Sequence, residues 1–311
     1  VYVRICGGGI FFIVAYNLLS AIFRGLGDSK SPLLFVFVAC IVNVIGDLVL
    51  VAGLHMDAAG AAIATVFAQM VSAAMALWMA GKKLPQRIGA RRLRRWLEHL
   101  WAMVRLGIPL ALQSVLFPVA NSIVQAAVNT MGTDTIAAWG ICDKLDMLIW
   151  LLADAMGPAL TTYTAQNMGA EKPERVRQGF RAGLKMIWTF AVPLVLIYFL
   201  GGKYVLRLFL DADSDKAAKT GLLFLRIVSP FYMVISAKLI ADGILRGAGL
   251  MKKFMVATFV DLFLRVILAS VFSRTALGDL GIWVSWPVGW VAAAVISLYY
   301  YRTGPWMEKR Q

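Results

Sequence analysis

Imidazoles and thiols are nearly absent from this chain: 311 residues hold two histidines and three cysteines. Cys6, Cys40 and Cys142 have neither metal-binding nor redox spacing. All three lie in or beside apolar stretches, where cysteine acts as a small hydrophobe. His55 falls in a short turn and His99 in a basic stretch, and neither has a partner at catalytic or metal-ligand spacing. No nucleophile–base pair remains to support an enzyme, and no cofactor is expected. Charge is also scarce. Asp, Glu, Lys and Arg make up 15% of the chain, against about 25% in soluble globular proteins. Acidic residues are the scarcer sign, 17 against 31 basic, for a net charge of +14.

What fills the chain is apolar. Hydrophobic residues reach 60% and the mean hydropathy is +0.74. A membrane-crossing helix needs about 20 apolar residues. Nine stretches qualify: Val1–Phe23, Leu33–Leu54, Ala58–Ala80, Trp101–Met131, Thr135–Asn167, Leu184–Leu210, Thr220–Leu245, Phe254–Phe272 and Ile282–Tyr301. An all-α, multi-pass membrane protein follows. The basic surplus could suggest nucleic acid, but its placement argues against that partner. Sorted by alternate loops, one side collects Arg24, Lys30, the Lys82–Arg105 cluster, Lys172–Lys185, Arg246, Lys252, Lys253 and Arg302. The positive-inside bias puts that side, and the C-terminus with it, in the cytoplasm. Residues 81–100 read as a basic cytoplasmic linker, either an amphipathic helix lying on anionic headgroups or a solvated loop.

The chain repeats itself. Phe23-Arg24-Gly25-Leu26-Gly27 returns as Leu245-Arg246-Gly247-Ala248-Gly249, and Gly60-Ala61-Ala62-Ile63-Ala64 meets Gly281-Ile282-Trp283-Val284-Ser285 at nearly the same offset. One copy closes the first span and the other the seventh, so the period is six spans and the halves share one orientation, a pattern of duplicated transporter bundles. The second half, 101–311, is complete. The first, 1–80, shows only three spans, so three more are expected upstream in a twelve-span protein. The Arg24-Gly-Leu-Gly-Asp28 stretch follows a membrane helix, not a strand, so its glycines cap a helix C-terminus and do not cradle a nucleotide. Gly7-Gly8-Gly9 reads as a close helix-packing site.

Acids at membrane depth cost about 2.5–3.5 kcal/mol each on insertion scales and mark function. Asp47 follows Asn43 by one turn, and Thr65 on the next span reaches the same depth. The cluster suits a proton or a small hard cation such as sodium, or else ties the helices together by hydrogen bonds. The repeat aligns Asn43 with Arg265 and Asp47 with Ala269, so this arrangement belongs to the first half only. On the fifth span Asp143, Asp146 and Asp154 fall within an arc of about 80°. On the fourth, Gln113, Asn121, Gln125 and Asn129 share a face. These stripes line either a water-filled cavity or an interhelical hydrogen-bond network. Lys238 and Asp242 stand one turn apart on the seventh span.

These residues resemble the multidrug and toxic compound extrusion (MATE) family of cation-coupled antiporters. The matching stretches are Phe23–Pro32, Gly60–Thr65, Thr162–Arg181 with Gln166-Asn-Met-Gly-Ala170 and Glu174-Arg-Val-Arg177, and Leu245–Gly249. The resemblance implies two six-helix lobes around a central cleft and alternating access. It implies export of cationic or amphipathic small molecules against inward sodium or proton flow, in a bacterial-type cytoplasmic membrane, by a monomer. In one branch an N-terminal-lobe cation site uses residues that Asn43, Asp47, Ala61 and Thr65 match in type and spacing, with one further Asp expected upstream. A second branch uses a Glu where this chain has Pro118, leaving Asp154 and Asp242 as substitutes. With Gln113, Asn121 and Gln125 these two form the expected substrate cleft. The alternative is a flippase of the same superfamily for lipid-linked or polysaccharide precursors, which calls for a strongly basic cleft. Lys238, Arg226 and Arg265 are the basic residues available for it.

Overall fold

The computed structural model describes residues 1–83, 90–210 and 214–307, and only the backbone of 90–99. Arg87, Arg91 to Arg95 and His99 of the expected linker lie outside the described side chains. Among the described residues the fold is all helix. Lipid offers no hydrogen-bond partners, so an apolar chain must satisfy its backbone within each segment, and the helix does so. The elements are α1 (Tyr2–Gly8), α2 (Ile10–Gly25), α3 (Lys30–Asp47), α4 (Asp57–Lys83), α5 (Ala90–Asn129), α6 (Thr133–Gly169), α7 (Pro173–Arg207), α8 (Asp215–Val228), α9 (Tyr232–Gly247), α10 (Met251–Phe272) and α11 (Gly278–Arg302). A π-helical turn, Leu48–Gly53, extends α3, and a 3-10 turn at Ser229–Phe231 joins α8 to α9.

Seven runs are each long and apolar enough to cross a membrane, and α1 with α2, bent by 51°, makes an eighth. The remaining expected span is α6, a continuous helix of 37 residues that is not among these. It carries Asp134, Asp143, Lys144, Asp146 and Asp154. The first span is therefore broken, not straight. The glycine reading there needs correction too: a side chain on Gly7 or Gly8 would meet nothing, whereas a Cβ on Gly9 would stand 2.6 Å from the Val66 methyls, closer than any real contact. Of these three, only Gly9 packs closely, and it sits at the bend.

The chain divides into two compact units, Val1–Trp96 and Leu97–Gln311. The first packs α2 and α3 on α4 around Phe23, Phe35 and Ala76, with Phe23 edge-on to Phe35 at 5.8 Å. Gly46 lets α3 approach α4 closely: a Cβ there would stand 2.9 Å from that of Ala64. The second has an aromatic core in which Trp139 stacks on Trp283 at 5.5 Å and Phe224 meets both rings edge-on. Tyr232, Trp286 and Trp290 continue it.

The repeat is visible in the backbone. After α2, Asp28 N–H donates to Phe23 O at 2.9 Å and Gly27 N–H to Arg24 O at 3.0 Å. After α9, Leu250 N–H donates to Leu245 O at 2.8 Å and Gly249 N–H to Arg246 O at 3.0 Å. Gly27 and Gly249 have φ of 87° and 74°, the left-handed region open to glycine, and each turn closes its helix with the six-residue backbone bond of a Schellman cap.

Candidate functional site

In the first unit the predicted residues come from two helices. Asn43 and Asp47 lie one turn apart on α3, Ala61 and Thr65 one turn apart on α4, and the Thr65 hydroxyl donates to Ala61 O at 2.9 Å. Asn43 and Thr65 line a cavity of about 260 Å³ with Tyr16, Cys40 and Gln69. Asp47 and Ala61 lie outside that lining. Three polar atoms here are buried without a hydrogen-bond partner: Asn43 Nδ2, Asp47 Oδ1 and Gln69 Oε1. Atoms of this kind are able to bind an ion, a water or a ligand group. The lone pairs of the Thr65 hydroxyl, the Asp47 carboxylate and the Gln69 amide oxygen are hard oxygen donors, and a flip of the Asn43 amide adds a fourth. Gln69 was not anticipated from the sequence. Its spacing of one turn beyond Thr65 was the available signal.

In the second unit the polar stripes separate. Gln113 of α5, Asp154 of α6 and Asp242 of α9 line one cavity of about 490 Å³, with Trp150, Lys238 and Arg246. Asp242 is buried and doubly held: Lys238 Nζ lies 2.8 Å from its Oδ2, and the Ser297 hydroxyl donates to its Oδ1 at 2.6 Å. Asp154 is exposed to the cavity. Asn121 instead lines a separate cavity of about 210 Å³ with Asp143, Asp146 and Arg265. Gln125 faces neither. Its carbonyl oxygen accepts from the Trp139 indole at 2.6 Å, and its amide nitrogen donates to Asn129 at 2.8 Å. It fastens α5 to the aromatic core.

Arg246, read from the sequence as part of a scaffold turn, has a second role in its surroundings. Its guanidinium lies against Gly157, where a Cβ would come within 2.7 Å of Nη2, and over the Phe254 ring at 5.3 Å. It lines the larger cavity, and its Nε is buried without a partner. Its first-half counterpart Arg24 keeps to the end of α2. The cavity thus carries Lys238 and Arg246 against Asp154 and Asp242, a balanced set able to orient a polar or charged group among apolar walls.

Outside the membrane-spanning segments, Asp28 caps α3. Its carboxylate accepts from Ser31 N–H at 3.0 Å and from the Ser31 hydroxyl at 2.7 Å. Lys83, at the end of α4, reaches it at 2.6 Å. The Lys83 hydrogen bond, with those from Ser31, holds the Asp28 carboxyl well below the usual carboxylate range.

Comparison with known proteins follows the same outline. The MatE family model matches residues 109–271, just over half of the chain, and the model for lipid II flippase MurJ matches residues 3–134. The probable multidrug resistance protein YpnP of Bacillus subtilis is 29% identical over 306 residues, covering 98% of this chain and 68% of YpnP. The probable multidrug resistance protein YoeA of the same organism is 25% identical, covering 99% and 68%. A crystal structure of MATE in the bent conformation superposes with a TM-score of 0.86 at 22% identity, over 97% of this chain and 67% of that one. The helical fold, the duplicated arginine–glycine turns and these matches lead to one conclusion: this chain is a multi-pass membrane protein that belongs to the MATE family.

Proposed function

We propose that this protein is a secondary antiporter that exports cationic or amphipathic small molecules, driven by sodium or proton influx through alternating access of two lobes. The coupling ion binds among Asn43, Asp47, Ala61 and Thr65, with Gln69 as an added oxygen donor. The substrate binds in the second-unit cavity at Gln113, Asp154 and Asp242. The protein works as a monomer in a bacterial cytoplasmic membrane, with the C-terminus inside and no cofactor. The observation that carries the reading is the pair of buried, unpartnered atoms on α3, Asn43 Nδ2 and Asp47 Oδ1. An ionised carboxylate without a partner is costly at that depth, and a bound sodium ion or proton removes the cost. The relatives named as multidrug resistance proteins support the substrate class.

Coupling needs the ion and the substrate to favour different states, since a ligand with equal affinity for both shifts nothing. Asp47→Asn removes the charge and keeps the shape. Expression and thermal stability should stay near wild type while ion-driven efflux of a cationic dye from vesicles is lost. Wild-type efflux in the variant would refute the coupling site.

The MurJ match over residues 3–134 favours a second reading, a flippase for lipid-linked precursors. Such polyanionic cargo calls for a basic cleft, whereas Asp154 and Asp242 balance Lys238 and Arg246 here. Transport of a lipid-linked anion but of no cationic dye would decide for the flippase.

A further inference from the structure

The second unit contains a buried charge cluster that the proposal above does not use. Asp146 of α6 is 5% exposed, and Asp261 and Arg265 of α10 are each 1% exposed. Among the described residues, none of the three forms an ion pair. Asp146 Oδ2 accepts from the Trp150 indole at 2.6 Å, but Asp146 Oδ1, Asp261 Oδ1, Arg265 Nε and Arg265 Nη2 have no partner. The guanidinium rests over the rings of Trp286 and Phe117, at 4.5 Å and 5.6 Å. Asp146 and Arg265 line the cavity of about 210 Å³, and the exposed Asp143 is also in its lining. A water molecule takes about 30 Å³ of liquid, so this polar pocket has room for water.

Two buried carboxylates share one guanidinium. Arg265 can compensate one of them. The other would carry an unpaired charge in a medium of low dielectric, and a carboxylate so placed takes up a proton instead. The groups that act electrostatically on Asp146 or feel its charge are Asp143 and Cys142 on its own helix, Tyr198 on α7, Tyr232 on α9 and Arg265 on α10, and Arg265 in turn feels Asp261 one turn before it. Arg265 is the one cation in this set.

The repeat supplies an independent argument. Arg265 stands where the first half has Asn43, which places Asp261 opposite Ala39. The second repeat pair, Gly60 with Gly281, sets Trp286 opposite Thr65. Ala39, Asn43 and Thr65 all line the first-unit cavity, and Arg265 and Trp286 line this one. The same register of the duplicated fold therefore opens a polar pocket in both units, with different chemistry in each.

We infer that Asp146, Asp261 and Arg265 form a second ion site, one that holds an exchangeable proton. One carboxyl keeps the proton and Arg265 neutralises the other. Release breaks that O–H bond, passes the proton to cavity water and out past Asp143, and leaves two carboxylates against one guanidinium. As a coupling site it rests on the antiporter reading, because a cationic substrate would offset the negative charge left behind. As a proton site it does not.

The test is infrared difference spectroscopy on the full chain in lipid nanodiscs, stepping between about pH 5 and pH 9. A protonated-carboxyl band should titrate in wild type and also in Asp47→Asn, which silences the first-unit site; in that Asp47→Asn background it should disappear with Asp146→Asn or Asp261→Asn and persist with Asp154→Asn. Arg265→Gln removes the cation that favours the charged form and should move the midpoint up by about a unit or more. If Asp146→Asn does not fold, Asp146→Glu should keep the band and shift its midpoint. A wild type with no titrating carboxyl band, a band that survives both Asp146→Asn and Asp261→Asn in that background, or one unmoved in Asp146→Glu overturns the inference. Because the band is read without transport, a titrating band in a protein that fails to export dye would sink the antiporter reading and leave the proton site standing.

Discussion

Lys238 and Asp242 offer a quantitative test of what a buried charge pair does in this fold. Each side chain is 3% exposed, and Nζ lies 2.8 Å from Oδ2. At an effective dielectric of about 20 the attraction at that separation is about 6 kcal/mol. Desolvating each ion costs several kcal/mol, so the pair nets close to zero against an apolar isostere. Removing one partner is different. Lys238→Met leaves Asp242 buried with only the Ser297 hydroxyl, now at 2.6 Å, and should cost about 3–5 kcal/mol. Asp242→Leu should cost a similar amount by stranding Lys238 and Ser297. The double variant loses two charges and strands neither, so it should return to within about 2 kcal/mol of wild type. The coupling energy is then about 4 kcal/mol or more, well above the 0.5–3 kcal/mol common for residues in contact. The assay is reversible denaturant unfolding of the purified protein in mixed micelles, followed by the fluorescence of the tryptophan-rich core. One turn on, Arg246 is the next cation, so the cycle is repeated in Arg246→Gln to remove it as a substitute partner. Additive single-variant losses, or a Lys238→Met loss under about 1 kcal/mol, would refute the reasoning.

Two further predictions address the larger cavity and the α3 cap. Gly157→Ala puts a Cβ 2.7 Å from Arg246 Nη2; because that atom ends a flexible side chain, stability should change by less than about 1 kcal/mol while dye affinity in the cavity falls severalfold in an equilibrium binding assay. The folded-state pKa of Asp28 is lowered by Lys83 and Ser31, so the Asp28–Lys83 contact stabilises the protein above the unfolded carboxylate value, about pH 4, and is lost as pH falls through the lower folded value. Lys83→Gln should therefore depress the thermal midpoint at pH 7 and progressively less toward about pH 2; a deficit that is constant across that range would show the effect is not electrostatic.

Much of the fold was legible because membrane helices obey a local rule. Lipid forces each apolar run to hydrogen-bond within itself, so hydropathy alone located the helices. Breaks inside those runs were less legible. The bend at Gly9 depends on Val66 filling the space beside it, and the turn at Ser229–Phe231 sits within a stretch that is apolar throughout. In the candidate sites, spacing of one turn found Asn43 with Asp47 and Lys238 with Asp242, since neighbours on a helix face are set by its pitch. The same spacing also grouped Gln113, Asn121 and Gln125, which end in three different surroundings. A long helix that leans against several partners presents one face to different neighbours along its length.

The sequence by itself determined a helical, duplicated membrane protein, the cap geometry of its arginine–glycine turns, and the loss in the second half of the Asn43 and Asp47 pattern. Those features are local or follow from internal comparison. Only the tertiary structure decided that Arg246 turns from its cap into a cavity, that Gln69 joins Asn43, and that Asp146 on one helix lines a cavity with Arg265 of another, beside Asp261 one turn away. Each of these depends on which helix packs beside which and at what depth. Contacts between helices far apart in the chain leave no periodic trace, and a buried charge is recognised as unpaired only when everything around it has been placed.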